Sequence, residues 1–214
     1  MNENSDAALA RIMKARSLKS VEDARALYAK WAQSYDNDVF DTRKVTGSNR
    51  VADLLAQYIT KPGTTAVLDA GCGTGAVAMP LARHSFNLID GIDLSPEMLA
   101  LAHRKGVYRK LTAIDLNTPF ELSAGPYAAI VSAGTFTTGH VGRKGLENLL
   151  AHLATGGICA CAIANEVWIR DEFDACVTSE AYEVLFHQLE AVVPDLSADT
   201  HMLVARRTRH VGQV

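Results

Sequence analysis

Apolar and polar positions along the chain alternate between two periods. Val51, Leu54, Leu55, Tyr58 and Ile59 recur at i, i+3, i+4, i+7 and i+8, which predicts an amphipathic helix stopped at Lys61-Pro62-Gly63. Short apolar runs predict strands at Ala66–Leu68, Asn87–Asp93, Leu111–Asp115, Tyr127–Ala133 and Ile158–Glu166. Leu146, Leu149, Leu150 and Leu153 predict a helix ended by Gly156-Gly157. Phe173, Tyr182, Leu185, Phe186 and Leu189 predict a helical stretch from Asp171 to Glu190, broken near Thr178. Glu190–Leu196 and His201–Arg207 read as two closing strands. Helix and strand patterns alternate, so the expected fold is α/β with a mostly parallel sheet.

The N-terminal stretch differs from this pattern. Residues 1–19 are polar and alanine-rich, consistent with either a mobile end or a short helix. Ser20 and Asp23 then mark a helix start, with Asp in place of the usual Glu or Gln of a capping box. Tyr28, Trp31 and Tyr35 cluster before an acidic turn, DNDVFD. Two readings stay open for these rings: an aromatic staple onto the core, or a lid over a ligand.

Composition narrows the class. The chain has 214 residues, 48% hydrophobic and 21% charged, with a net charge of −3, as in an ordinary globular domain. One domain over 1–214 is expected, with a helical cap at 1–60 and a core at 61–214. The charge balance argues against nucleic acid as a partner; the cluster Arg206, Arg207 and Arg209 reads as a solvated end. No apolar run reaches membrane-spanning length, and the first residues lack the apolar centre of a secretory signal, so a cytoplasmic protein is expected. The cysteines show no C-x-x-C spacing; Cys159 and Cys161 share one face of a strand as small core residues. No metal site is expected.

The candidate chemistry starts at Val67–Gly75, VLDAGCGTG. A strand runs into Gly71, Gly73 and Gly75, where a backbone can turn sharply or approach a ligand closely. A helix follows, with Pro80 inside it. The pattern also fits a dinucleotide turn, with Asp93 near the ribose-binding spacing. Asp69 discriminates: its carboxylate would repel a pyrophosphate and attract a cationic amino group. Ser95 caps and Pro96 opens the next helix, which leaves Asp93 available to bind ribose hydroxyls.

VLDAGCGTG resembles the first motif of class I S-adenosylmethionine-dependent methyltransferases, and GIDLSPEML (Gly91–Leu99) resembles their second. The likeness continues through Ala113–Phe120 and Tyr127–Gly142, covering roughly residues 20–170. The W-A-x-x-Y-D segment is similar to that of small bacterial enzymes like methyltransferase-like protein 27. The resemblance implies a Rossmann-like, doubly wound, seven-stranded sheet with helices on both faces and an N-terminal helical lid. It implies S-adenosyl-L-methionine as cofactor, leaving S-adenosyl-L-homocysteine as product. Asp69, Gly71, Cys72, Gly73, Gly75, Asp93, Leu94, Met98, Asp115, Leu116 and Ser132 would then border the cofactor. Tyr28, Trp31, Tyr35, Phe136 and Glu166 would face substrate or form the lid. Cys72 has an equal reading as a small turn residue, and Asp115 as a surface acid.

Methyl transfer from a sulfonium depends mainly on positioning, and needs a base only where the acceptor carries a proton. His140, in GTFTTGHVG, is the candidate base or substrate contact; a surface histidine is the plainer reading. His187, His201 and His210 have no acidic or cysteine partner at ligand spacing. The fourth strand ends in SAGTF rather than an Asn- or Asp-Pro-Pro-Tyr segment, which argues against adenine or glutamine-amide acceptors and for a small molecule. The alternatives are a nicotinamide-dependent oxidoreductase and a non-catalytic binder of the same cofactor.

Overall fold

The computed structural model describes residues 3–18, 20–177 and 179–208; Thr178, Arg209, His210 and the side chain of Cys176 lie outside them. Among the described residues seven strands form one sheet: β1 (Ala66–Ala70), β2 (Leu88–Asp93), β3 (Tyr108–Ala113), β4 (Tyr127–Phe136), β5 (Leu153–Ala164), β6 (Tyr182–Glu190) and β7 (Thr200–Arg207). Their order is β3-β2-β1-β4-β5-β7-β6. All pairings are parallel except those of β7, which runs antiparallel to β5 and β6. The order reverses between β1 and β4, so a crevice opens beyond the carboxyl ends of those strands.

Two apolar layers hold the sheet. Val67 and Leu68 are adjacent and fully buried on opposite faces, as the two-residue period of a strand requires. On one side α3 (Gly47–Tyr58) and α4 (Ala78–Arg83) bring Val51, Leu54, Leu55 and Leu81 against Val67 and Val131. On the other, α6 (Arg143–Leu150), α7 (Asn165–Arg170) and α8 (Phe173–Val177) bring Leu146, Leu149, Trp168 and Phe173 against Leu68 and Ile130. Pro80 is the third residue of α4, where its missing N–H has no intrahelical acceptor to lose. Ser95 Oγ accepts from the Met98 N–H at 3.2 Å and starts α5 (Pro96–Arg104).

The N-terminal helices α1 (Glu3–Ala15) and α2 (Val21–Asp36) pack mainly on each other, with α1 reaching the α3 layer through Leu9, and a π-helical turn follows at Asn37–Thr42. Ser20 caps α2 by accepting from the Asp23 N–H. Asp38, 6% exposed, accepts from Arg11, Trp31 Nε1 and Ser34 at 2.6, 2.7 and 3.2 Å. Burial pushes its carboxyl up, and those donors outweigh burial and hold it below the ordinary range. This pair of helices and its turn, residues 3–42, form their own apolar cluster, whereas α3 packs on the sheet.

Several expectations need correction. Residues 182–190 are strand β6, and 191–196 form no strand. Pairing shifts at Val184/Phe186; Tyr182 packs on one sheet layer, Leu185 and Phe186 on the other, and Leu189 is exposed. That irregularity imitates helical spacing at Tyr182, Leu185, Phe186 and Leu189. Gly156 and Gly157 lie within β5, in an irregular stretch between the Leu153 and Ile158 pairings, and do not end α6. The third strand begins at Tyr108, earlier than expected. Arg207 is buried and donates to the carbonyls of Leu150 and Leu153, so it is not part of a solvated end. His187 and His201 meet each other at 2.8 Å and stack on Trp168. Cys159 and Cys161 are buried with their sulfurs 3.4 Å apart. Among the described residues no helix is long and apolar enough to cross a membrane.

Leu55 is fully buried where α3 meets the sheet. Leu55→Ala is expected to cost about 2–5 kcal/mol of stability, read from the urea midpoint; a loss below about 1 kcal/mol would show that α3 does not carry this layer.

Candidate functional site

The turn after β1 is built on left-handed glycines. Gly71, Gly73 and Gly75 have φ of 65°, 52° and 88°, a region that disfavours any residue with a Cβ. A side chain at Gly71 would collide with Thr135, and one at Gly75 would crowd Tyr108. At Gly73 it would meet nothing within 4 Å: that glycine borders the open cleft.

Asp93, at the end of β2, fixes this turn. Its Oδ2 accepts from the Gly73 N–H and its Oδ1 from the Ser95 N–H, both at 2.8 Å. A carboxylate has about four acceptor positions, so two bonds leave capacity for hydroxyl donors in the cleft. Burial raises its pKa, and the backbone donors oppose that rise. Leu94, Met98 and Leu116 lie on the same cleft wall. Asp115 lines it too and accepts from the Asn117 backbone and side chain at 2.9 and 3.2 Å, both on Oδ1.

The cleft measures about 220 Å3 and runs from this turn to the N-terminal helices. Tyr28, Trp31 and Tyr35 line it. Trp31 stacks on Tyr28 and meets Tyr35 edge-on at a centroid distance of 4.8 Å. Asp36 ties α2 to the turn, accepting from the Thr74 hydroxyl and, at 2.7 Å, from Lys105 Nζ. Gly139, with φ 78°, approaches the Leu18 carbonyl so closely that a Cβ would clash. The β4–α6 loop thereby meets the helical pair.

His140 follows that contact and faces the cleft. Its Nδ1 lies 3.1 Å from the Thr138 carbonyl and 2.8 Å from the Thr137 hydroxyl. A carbonyl only accepts, which assigns the ring proton to Nδ1 and leaves Nε2 as a bare acceptor. Nε2 lies 3.1 Å from the Tyr28 hydroxyl. Burial lowers the His140 pKa, with the Thr138 bond opposing, so the ring is neutral at neutral pH. Burial, helped by the charges of Tyr35 and Asp93, drives the Tyr28 pKa far up, so its hydroxyl is a permanent donor.

Other candidates lie elsewhere. Asp69 is fully buried and absent from the cleft wall. Its Oδ2 accepts from the Tyr108 hydroxyl at 2.6 Å, and its Oδ1 has no hydrogen-bond partner among the described residues. Burial, with the nearby Asp93 charge, pushes its pKa up to about 7 against the Tyr108 bond. Ser132 donates to the Ala70 carbonyl at 2.8 Å and braces the end of β1. Phe136 is fully buried against Phe173. Gly75 is off the cleft wall, whereas Cys72 lines it, buried, with its thiol pKa raised by burial. Glu166 is exposed, 3.4 Å from the Thr138 hydroxyl. Tyr108, Thr74, Asp36 and Asn117 escaped the sequence reading. Their contacts span up to 69 residues, beyond the reach of local spacing.

A family model described as a methyltransferase domain matches residues 67–157. Methyltransferase-like protein 27 of Homo sapiens is 30% identical over 158 residues, 73% of this chain; the chain spans 64% of that relative's length. The 18S rRNA (guanine(1575)-N(7))-methyltransferase of Saccharomyces cerevisiae is 28% identical over 43% of this chain and 36% of its own length. The fold is shared with a TehB-like SAM-dependent methyltransferase from Corynebacterium glutamicum: TM-score 0.64, 22% identity, 86% of this chain and 99% of that one covered. The glycine turn, the sheet order and these likenesses agree: the chain belongs to the class I S-adenosylmethionine-dependent methyltransferases.

Proposed function

We propose that this chain transfers a methyl group from S-adenosylmethionine to a small-molecule acceptor, with His140 taking the acceptor's proton. The observation that carries this reading is the bare Nε2 of a neutral, half-buried histidine directed at the Tyr28 hydroxyl in a cleft bordered by the glycine turn. Family membership sets the nicotinamide reading aside.

The residues fit the cofactor. Asp93 retains acceptor capacity for a ribose diol, and Gly73 leaves room beside the turn. Leu94, Met98 and Leu116 offer apolar surface to an adenine, and Asp115 Oδ2 an acceptor to its amino group. Asp69, buried and off the cleft wall, feels the charge of Asp93 and so would feel an ammonium group bound beside the glycine turn. When bound, the cofactor supplies an electrophilic methyl group. The protein's own part is to hold the acceptor in line, exclude water and accept a proton at His140 Nε2. Residues 3–42 act as the lid, with Tyr28, Trp31 and Tyr35 as its inner surface. A small acceptor fits a cleft enclosed this way better than a polymer does.

Two outcomes test this. The Asp69 pKa of about 7 should fall when an ammonium group approaches. Binding of S-adenosylhomocysteine near pH 6 should therefore release up to about one proton, read by calorimetry in buffers of different ionisation enthalpy. Asp69→Asn should abolish the release; equal release in that variant would remove Asp69 from the cofactor's surroundings. For His140, a side-chain nitrogen NMR titration should show an Nδ1–H tautomer and a midpoint below 6.5. His140→Ala should lower turnover of an identified acceptor by about 10²–10⁴-fold while keeping S-adenosylhomocysteine affinity. Unchanged turnover would leave His140 a structural strut.

A further inference from the structure

The lid presents its own phenol to the candidate base. Tyr28 Oη lies 3.1 Å from His140 Nε2, and the two rings are 5.4 Å apart. Tyr28 is also half-buried on the cleft wall, stacked on Trp31 at an interplanar angle of 12°. This internal contact shows which group the place beside Nε2 accommodates: a neutral aromatic hydroxyl, donating its proton, in an aromatic nest.

We infer that the acceptor is an uncharged aryl alcohol, a phenol with an apolar body, whose hydroxyl takes the place of the Tyr28 hydroxyl at His140 Nε2. The inference rests on the methyl-transfer reading above and narrows it to one acceptor chemistry.

Three further features agree. Beyond the aromatic cluster the cleft continues along Ile12, Val39, Val45, Val192 and Val193, apolar surface suited to a hydrocarbon body. Charge on the wall disfavours an anion: Asp93 and Asp115 would repel it, Arg16 is paired with Asp199 at 2.8 Å, and Arg25 is exposed to solvent. A phenol, with an ordinary pKa near 10, arrives protonated at neutral pH and so needs a base. The acceptor oxygen then forms its bond to the donor methyl as the methyl–sulfur bond breaks. The phenolic proton passes to His140 Nε2 and on to solvent. The products are an aryl methyl ether and S-adenosylhomocysteine, with charge and atoms balanced.

The test uses the full chain and three probes of similar shape: 4-propylphenol, 4-propylanisole and 4-propylbenzoate. Each is titrated calorimetrically with and without saturating S-adenosylhomocysteine. The phenol should bind, the ether about tenfold more weakly for want of a donor to Nε2, and the benzoate below detection. Tyr28→Phe, which removes the competing hydroxyl and keeps the ring, should tighten the phenol several-fold and leave the ether unchanged. His140→Phe should erase the preference for phenol over ether. Equal binding of phenol and ether by the wild type, or weaker phenol binding in Tyr28→Phe, would overturn the inference. S-adenosylhomocysteine binding without any phenol preference sinks the acceptor class alone. Absence of S-adenosylhomocysteine binding sinks the cofactor reading, whatever the phenol does.

Discussion

One carboxylate holds the site together. Asp93 closes the glycine turn through the Gly73 N–H and steers the chain into α5 through the Ser95 N–H. Backbone in the left-handed region does not stay folded over open space without such a tie, because glycine loses more conformational freedom on ordering than any other residue. A carboxylate partly withdrawn from water, as Asp93 is, in turn relies on donors to remain charged. The turn and the acid therefore sustain each other, and the cleft floor is rigid because both conditions are met by the same two bonds.

The N-terminal helical pair depends on the same turn from the opposite side. Asp36 reaches Thr74 within the turn and Lys105 beyond α5. Inside the helical pair, Asp38 gathers Arg11, Trp31 and Ser34. Charge-assisted bonds of that kind are stronger than neutral ones, and here they orient the indole that backs Tyr28. The path from Asp93 to His140 thus runs through the turn, Asp36, α2 and Tyr28. An opening of the proposed lid would break the Asp36 contacts and expose Nε2 in one movement.

Much of this was legible in the sequence, because local rules govern it. The glycine turn, the Ser95-Pro96 helix start, the Ser20 cap and the amphipathic α3 depend on neighbours a few residues away. What escaped depends on pairing. β6 is an edge strand with a pairing shift at Val184/Phe186 and apolar residues on both faces, so Tyr182, Leu185, Phe186 and Leu189 fall at helical spacing without forming a helix. Arg207 looks like a solvated cation until β7 carries it beneath the end of α6. Asp69 shows the same limit at the site: its position beside the glycines is local, but its tie to Tyr108 crosses from β1 to β3. Ser132 and Phe136 sit at the expected strand end, yet the strand's alternation turns them towards the Ala70 carbonyl and Phe173.

The most direct measurement is calorimetric titration of S-adenosylmethionine and NADH into the wild type and Asp93→Ala. The account predicts that the wild type binds S-adenosylmethionine and not NADH. It also predicts that Asp93→Ala loses at least about a hundredfold in affinity, since the variant forfeits the proposed ribose acceptors and the tie to Gly73. Equal affinity in the two proteins, or binding of NADH alone, would contradict it.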